Sequence, residues 1–203
     1  NPSRFGEGKK KQALSVVKGF VMNGVKWTEE KVVVALGGNA LIRAGQKGTA
    51  EEQLENIRAS LDGIIGLIKS GYGLVITHGN GPQVGNMLLM VEAARGKVPE
   101  LSLGLCVADT EGALGYMIQQ ALVNRLRHEG IQNGVVTIIT QVVVERDDPA
   151  FKAPTKPVGP YMSKEEAGAF KRDRGWQFTY IEGRGHRRVV ASPGPVGIVE
   201  KEA

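Results

Sequence analysis

Two short apolar runs in this sequence each end in a glycine turn that carries an asparagine, and this pair restricts the folds open to the chain. Val32 to Leu36 runs into Gly37-Gly38-Asn39-Ala40, and Leu74 to Thr77 runs into His78-Gly79-Asn80-Gly81-Pro82. Glycine lets backbone N–H groups approach a ligand with no Cβ in the way, and asparagine adds an amide donor and acceptor. Pro82 suits the first turn of a helix, so the second loop is expected to aim a helix N-terminus, with its partial positive charge, at the same place. The pairing points to a site for a small anion.

Around these turns the text alternates strand and helix. Thr49 and Glu52 make a capping-box pattern, followed by Leu54, Ile57, Leu61, Ile64, Ile65 and Ile68 at helical spacing and by Gly71 as a stop. A helix is expected from Pro82 towards Arg95, a loop around Pro99, a long helix from about Asp109 to Glu129 closed by Gly130, and a strand over Val135 to Val144. On this reading Asp109 and Glu111 stand at a helix start, where carboxylates favour the dipole. Mostly apolar strands alternating with helices predict an α/β protein with a mostly parallel sheet covered by helices on both faces. In such sheets ligands gather at the carboxyl ends of the strands, where both glycine turns lie.

The character changes after Arg146. Pro149, Pro154, Pro157 and Pro160 mark an irregular excursion, Ser163 with Glu166 caps a short helix, and Trp176 to Ile181 with Arg187 to Ala191 suits a hairpin. Residues 147–190 are therefore expected to form a small subdomain protruding from an α/β part spanning 31–146. Ser192-Pro193-Gly194-Pro195 turns the chain back, so that 191–203 returns to the sheet. Residues 1–30 show no sustained period and are expected to be a poorly ordered extension.

The turns match neither the P-loop pattern nor the dinucleotide fingerprint. Backbone donors without a P-loop lysine suit an acyl or carbamoyl phosphate, or a phosphoryl group in flight. Lys156 lies in Ala153-Pro154-Thr155-Lys156-Pro157-Val158-Gly159-Pro160, where three prolines stiffen its surroundings. A fixed ammonium there can stabilise charge developing on a transferring phosphoryl oxygen. His78 suits a structural role as well as a catalytic one, Cys106 reads as an inert buried thiol, and His78, His128 and His186 offer no metal-binding spacing.

Bulk properties exclude several classes. The net charge of +5 is partly local, in Lys9 to Lys11 and in Arg184 to Arg188, and aromatics are 5% of residues, so the basic excess reads as surface or as attraction for anionic substrates rather than nucleic acid. No apolar run approaches the roughly 20 residues that span a bilayer, and no signal-peptide pattern opens the sequence, so no membrane partner is expected. A single cysteine excludes an intrachain disulfide and suits the cytoplasm.

Val-Val-Ala-Leu-Gly-Gly-Asn-Ala, Gly-Gln-Lys-Gly-Thr, Thr-His-Gly-Asn-Gly-Pro-Gln-Val-Gly, Gly-Ala-Leu-Gly-Tyr-Met-Ile-Gln-Gln and Pro-Thr-Lys-Pro-Val-Gly-Pro occur in that order between Lys31 and Glu200. Together they resemble the carbamate kinases of the amino acid kinase superfamily. The resemblance implies a cytoplasmic homodimer with a three-layer α/β/α sandwich and a protruding substrate-covering subdomain. It also implies reversible phosphoryl transfer between ATP, as its Mg2+ complex, and carbamate, giving ADP and carbamoyl phosphate, often run towards ATP in arginine breakdown, with no tightly bound cofactor and no resident metal. Gly37, Gly38, Asn39, Gly79, Asn80 and Gly81 would line the carbamate and phosphoryl site, and Lys156 would neutralise the transferring group. Family members are longer, and their second half supplies the nucleotide pocket and a Val-Ile-Asp-Lys-Asp segment that this sequence lacks. The expectation is thus a substrate-binding half with the nucleotide half truncated, leaving a strand edge and an apolar helix-packing face exposed. Two other readings stay open: a non-catalytic fragment that binds anions or dimerises, and a related kinase that forms a different acyl phosphate.

Overall fold

The structure, a computed structural model, describes residues 21–22, 25–26, 28–43 and 45–201. The expectation for residues 1–30 falls mostly outside them. Within them, β1 (Val21–Met22) pairs antiparallel with β2 (Val25–Lys26), and the Thr28 amide donates to Gly71 O at 2.7 Å.

The site-bearing part is built on one βαβ unit. β3 (Lys31–Leu36) leads through the single turn α1 (Gly38–Leu41) into α2 (Ala50–Lys69), which returns the chain to β4 (Gly73–His78), parallel to β3 with Leu36 opposite His78. Parallel pairing requires such a crossover. α2 forms where its pattern predicts. The Thr49 hydroxyl accepts from the Glu52 amide at 3.3 Å, Glu52 accepts from the Thr49 amide at 3.0 Å, and Gly71 ends the helix at a φ of 89°. Its apolar stripe, Ile57, Leu61, Ile64, Ile65 and Ile68, is buried against the inner sheet face, where Leu36 is buried and Val34, Leu74 and Ile76 pack alongside. Each such side chain stabilises the fold by about 1.5–3 kcal/mol on full burial.

α3 (Gly81–Ala93) follows β4, and α4 (Leu103–His128) completes the core with Leu114, Ile118, Leu122 and Leu126. α4 begins six residues before the position expected from sequence. Ser102 is its cap, accepting from the Leu105 amide at 3.3 Å, so Asp109 and Glu111 lie inside the helix and not at its positive end. The apolar stretch around Leu103 and Leu105 hid this start, because it shows no helical period against its neighbours.

A second difference concerns the strand expected over Val135 to Val144. Only β5 (Val142–Val144) is paired, and its partner is the antiparallel β9 (Pro195–Ile198). Residues 135–141 join no sheet among the described residues. Backbone extension alone does not make a strand; a hydrogen-bonding neighbour does. Among the described residues parallel pairing is accordingly confined to β3–β4, and helices cover one face of that pair. The chain is a mixed α/β protein.

The remaining sheet has the order β6 (Lys156–Met162), β8 (Gly185–Val190), β7 (Gln177–Ile181), all antiparallel, with α5 (Lys164–Arg174) between β6 and β7. Ser163 and Glu166 form the expected capping box, and Gly175 closes α5 at a φ of 66°. Pro157 and Pro160 are tolerated because β6 is an edge strand, and the pairing shifts between Val158 and Tyr161 where Gly159 takes a φ of 72°. On this sheet the Arg188 guanidinium stacks over Trp176 at 3.8 Å, and Trp176 stacks on Phe170 at 4.7 Å.

Candidate anion-binding site

Because Leu36 and His78 stand opposite each other on adjacent parallel strands, the two glycine turns leave the sheet side by side at its carboxyl end. Neither turn needs glycine for its backbone shape. Gly37 has a φ of −71°, and Gly37, Gly38, Gly79 and Gly81 are all absent from the residues with positive φ. A Cβ added at any of the four would meet nothing within 4 Å. What glycine supplies here is bare backbone facing open space, which is what an approaching anion requires.

α3 points its N-terminus at the same region. No side chain caps it, Pro82 lies in its first turn, and its leading amides have no intrahelical acceptor. The Asn80 side chain is turned to another use, donating through Nδ2 to Thr110 Oγ1 at 3.0 Å and to Val107 O at 3.2 Å on α4. Asn80 thus anchors the second turn to α4, and its amide donor is spent inside the protein. Asn39 lies in the turn α1, directly after Gly38.

Buried and half-buried amides hold the turns in place, and the sequence reading did not single these residues out. Gln83 Nε2 donates to Gln53 Oε1 at 2.7 Å, and Gln53 Nε2 donates to Gly48 O at 2.8 Å. Asn56 Nδ2 donates to Leu41 O at 3.0 Å and to Gln46 Oε1 at 2.6 Å. The chain of amides ties α1, the 45–49 loop, α2 and α3 into one support. The signal was present: Gln53 and Asn56 interrupt the face of α2 that is otherwise apolar. Two buried polar atoms at the second turn, His78 Nδ1 and Gln83 Oε1, have no hydrogen-bond partner among the described residues.

Lys156 is not part of either turn. It opens β6 opposite Val190, is exposed, and makes no ion pair among the described residues. Its surroundings are a strand rather than the expected stiffened loop. β6 rests on α3, the helix that grows from the second turn, through a backbone contact so close that a Cβ on Gly85 would stand 2.9 Å from both Cα and N of Gly159. The structure therefore brings the six loop residues to one sheet end and connects Lys156 to them through α3. An open cleft of about 470 Å³ lies elsewhere, around Leu126, Gly130 and Ile131, and no candidate residue lines it.

Cys106 is fully buried on α4, and burial, with the charge of Asp109 adding to it, pushes its thiol above the usual range. That suits an inert thiol. Among the described residues no group of three or more His, Cys, Asp or Glu is placed to hold a metal ion, and no helix is long and apolar enough to cross a membrane.

Bare backbone donors at two neighbouring strand ends, backed by an uncapped helix, characterise a class of mixed α/β proteins suited to small anionic groups. No protein-family model matches the chain. Comparison with individual proteins is specific: over 175 residues the chain is 50% identical to carbamate kinase of Pyrococcus furiosus, covering 85% of this chain and 56% of that protein. Carbamate kinase of Trichomonas vaginalis is 48% identical over 174 residues, with 85% and 55% covered. Among solved structures, carbamate kinase from Giardia lamblia bound to AMP-PNP superposes with a TM-score of 0.74 at 41% identity, covering 84% of this chain and 54% of that one. In sequence and in fold the chain is similar to carbamate kinases, and it spans about half the length of the relatives it matches.

Proposed function

We propose that the protein to which this chain belongs is a cytoplasmic carbamate kinase. In this reading an oxygen of carbamate attacks the terminal phosphorus of ATP, the bond from that phosphorus to the bridging oxygen breaks, and ADP leaves with the electron pair. The reverse reaction makes ATP from carbamoyl phosphate. Gly37, Gly38, Asn39, Gly79, Asn80 and Gly81 surround the carbamate and the transferring group, with backbone N–H groups and the α3 N-terminus holding its oxygens. Lys156 neutralises charge on that group once the β6–β8–β7 sheet lies over it. Nucleotide enters as its Mg2+ complex.

The observation that carries the reading is the side-by-side exit of the two glycine turns at Leu36 and His78, open to solvent where a Cβ would stand. Homology to carbamate kinases supplies the chemistry. We further assign residues 31–146 to a substrate-binding part and 147–190 to a covering subdomain, within an α/β/α sandwich that assembles as a homodimer.

The test is ATP formation from ADP and carbamoyl phosphate by the full-length gene product with magnesium present. Turnover is expected, and Lys156→Ala should lower kcat by about 10²- to 10³-fold while changing KM less. A folded protein with no turnover overturns the reading; unchanged kcat in the variant removes the role of Lys156. Because the chain covers only 56% of the Pyrococcus relative, a specific alternative is that it binds anions alone and transfers nothing until completed.

A further inference from the structure

The buried face of α2 is apolar from Ile57 to Ile68 and polar only at its start, where Gln53 and Asn56 are 9% and 3% exposed. An apolar side chain at either place would bury area without the cost of stripping water from an amide. What the two amides add is direction.

Each takes hold of a different glycine turn. Asn56 Nδ2 donates to the carbonyl of Leu41, the last residue of the α1 turn that carries Gly38 and Asn39. Gln53 Oε1 accepts from Gln83 Nε2, and Gln83 is the third residue of α3. Pro82 has no N–H, so the backbone N–H of Gln83 is one of only two donors among the first three residues of that helix. Gln53 fits in one sense only: its Nε2 donates to Gly48 O, and a reversed amide would set oxygen against oxygen there. Two contacts from one helix therefore span the gap between the turns as a gauge of fixed length. We propose that Gln53 and Asn56 are positioning residues, which set the spacing between the backbone donors of the two turns without touching substrate. This rests on the kinase reading of the site. Donors aimed at a transferring group act most strongly in the transition state, and misplacing them by about 1 Å can cost about 10²-fold in rate. Loss of the gauge is therefore expected in kcat more than in KM.

The experiment measures ATP formation from ADP and carbamoyl phosphate by the full-length gene product, with the folded fraction followed by circular dichroism under the same conditions. Gln53→Met and Asn56→Leu remove the contacts at similar size, and Gln83→Met removes only the one to α3, from a half-buried position. Each should lower kcat per folded molecule at least about tenfold, while KM for carbamoyl phosphate moves by less than about threefold. Gln53→Glu supplies a readout that packing alone would not move. Its carboxyl can donate to Gly48 O only when protonated, so its kcat relative to the parent should climb as pH falls from about 9 to about 6. A kcat within about twofold of an active parent in any folded variant overturns the proposal. A flat Gln53→Glu ratio does so too. Loss that follows the folded fraction alone, or failure of every variant to fold, assigns the amides to stability and also overturns it. Where the α2 variants alone fail to fold, Gln83→Met decides. No turnover by the folded parent removes the kinase reading itself, and this proposal with it.

Discussion

At the scale of single residues, glycines of the same chemical type do opposite things here. Gly37→Ala adds a methyl to open space at a φ any residue adopts, so the urea midpoint should stay within about 0.5 kcal/mol of the parent while phosphoryl transfer by the complete protein falls. Gly85→Ala drives a methyl into the Gly159 backbone and should cost about 1–3 kcal/mol in the same denaturation. The sequence marks both as glycine, and the strand ends around Gly37 reveal which kind that one is. Nothing local reveals Gly85, whose neighbour is 74 positions away. The same distinction separates Asn80 from a ligand-facing asparagine: its donor reaches α4, which is a fact of packing.

At the scale of elements, local chemistry governs where helices start and how they are held. Thr49→Ala and Ser163→Ala should each cost about 0.5–2 kcal/mol in urea unfolding, since each removes one half of a complete capping box. The carboxyl ends of α2 and α4 are joined by Glu129, which accepts from Lys69 at 2.7 Å and from Arg125 at 2.8 Å. These two partners, Lys69 first, lower the Glu129 carboxyl to about 2. An unfolded glutamate titrates near 4.3, so the folded state binds this proton less readily. The contribution is complete above that value and is lost as pH falls towards 2. Thermal melts should show a smaller drop between pH 5 and pH 2.5 for Glu129→Gln than for the parent. An equal drop assigns the acid sensitivity to other carboxylates.

At the scale of the whole molecule, the contacts that set the β6–β8–β7 sheet against α3 include the Gly85–Gly159 approach and an ion pair in which Arg174 of α5 donates to Glu92 at 2.9 Å and 3.2 Å. Partly exposed pairs contribute little, so Glu92→Gln should change stability by less than about 1 kcal/mol. Hydrogen exchange in β6 should nevertheless quicken, and more so at high salt for the parent than for the variant, because only the parent has a pair to screen. The sequence by itself determined the two glycine turns, the α2 stripe, both capping boxes and the apolar character of residues 135–139, because each depends on residues within one or two turns of chain. Tertiary structure alone decided that residues 135–139 remain unpaired, that β9 joins β5, that Asn80 spends its donor on α4, and that Lys156 rides on α3. Those outcomes depend on which distant surface arrives at a given backbone group, and a hydrogen bond or a backbone contact needs both partners in place.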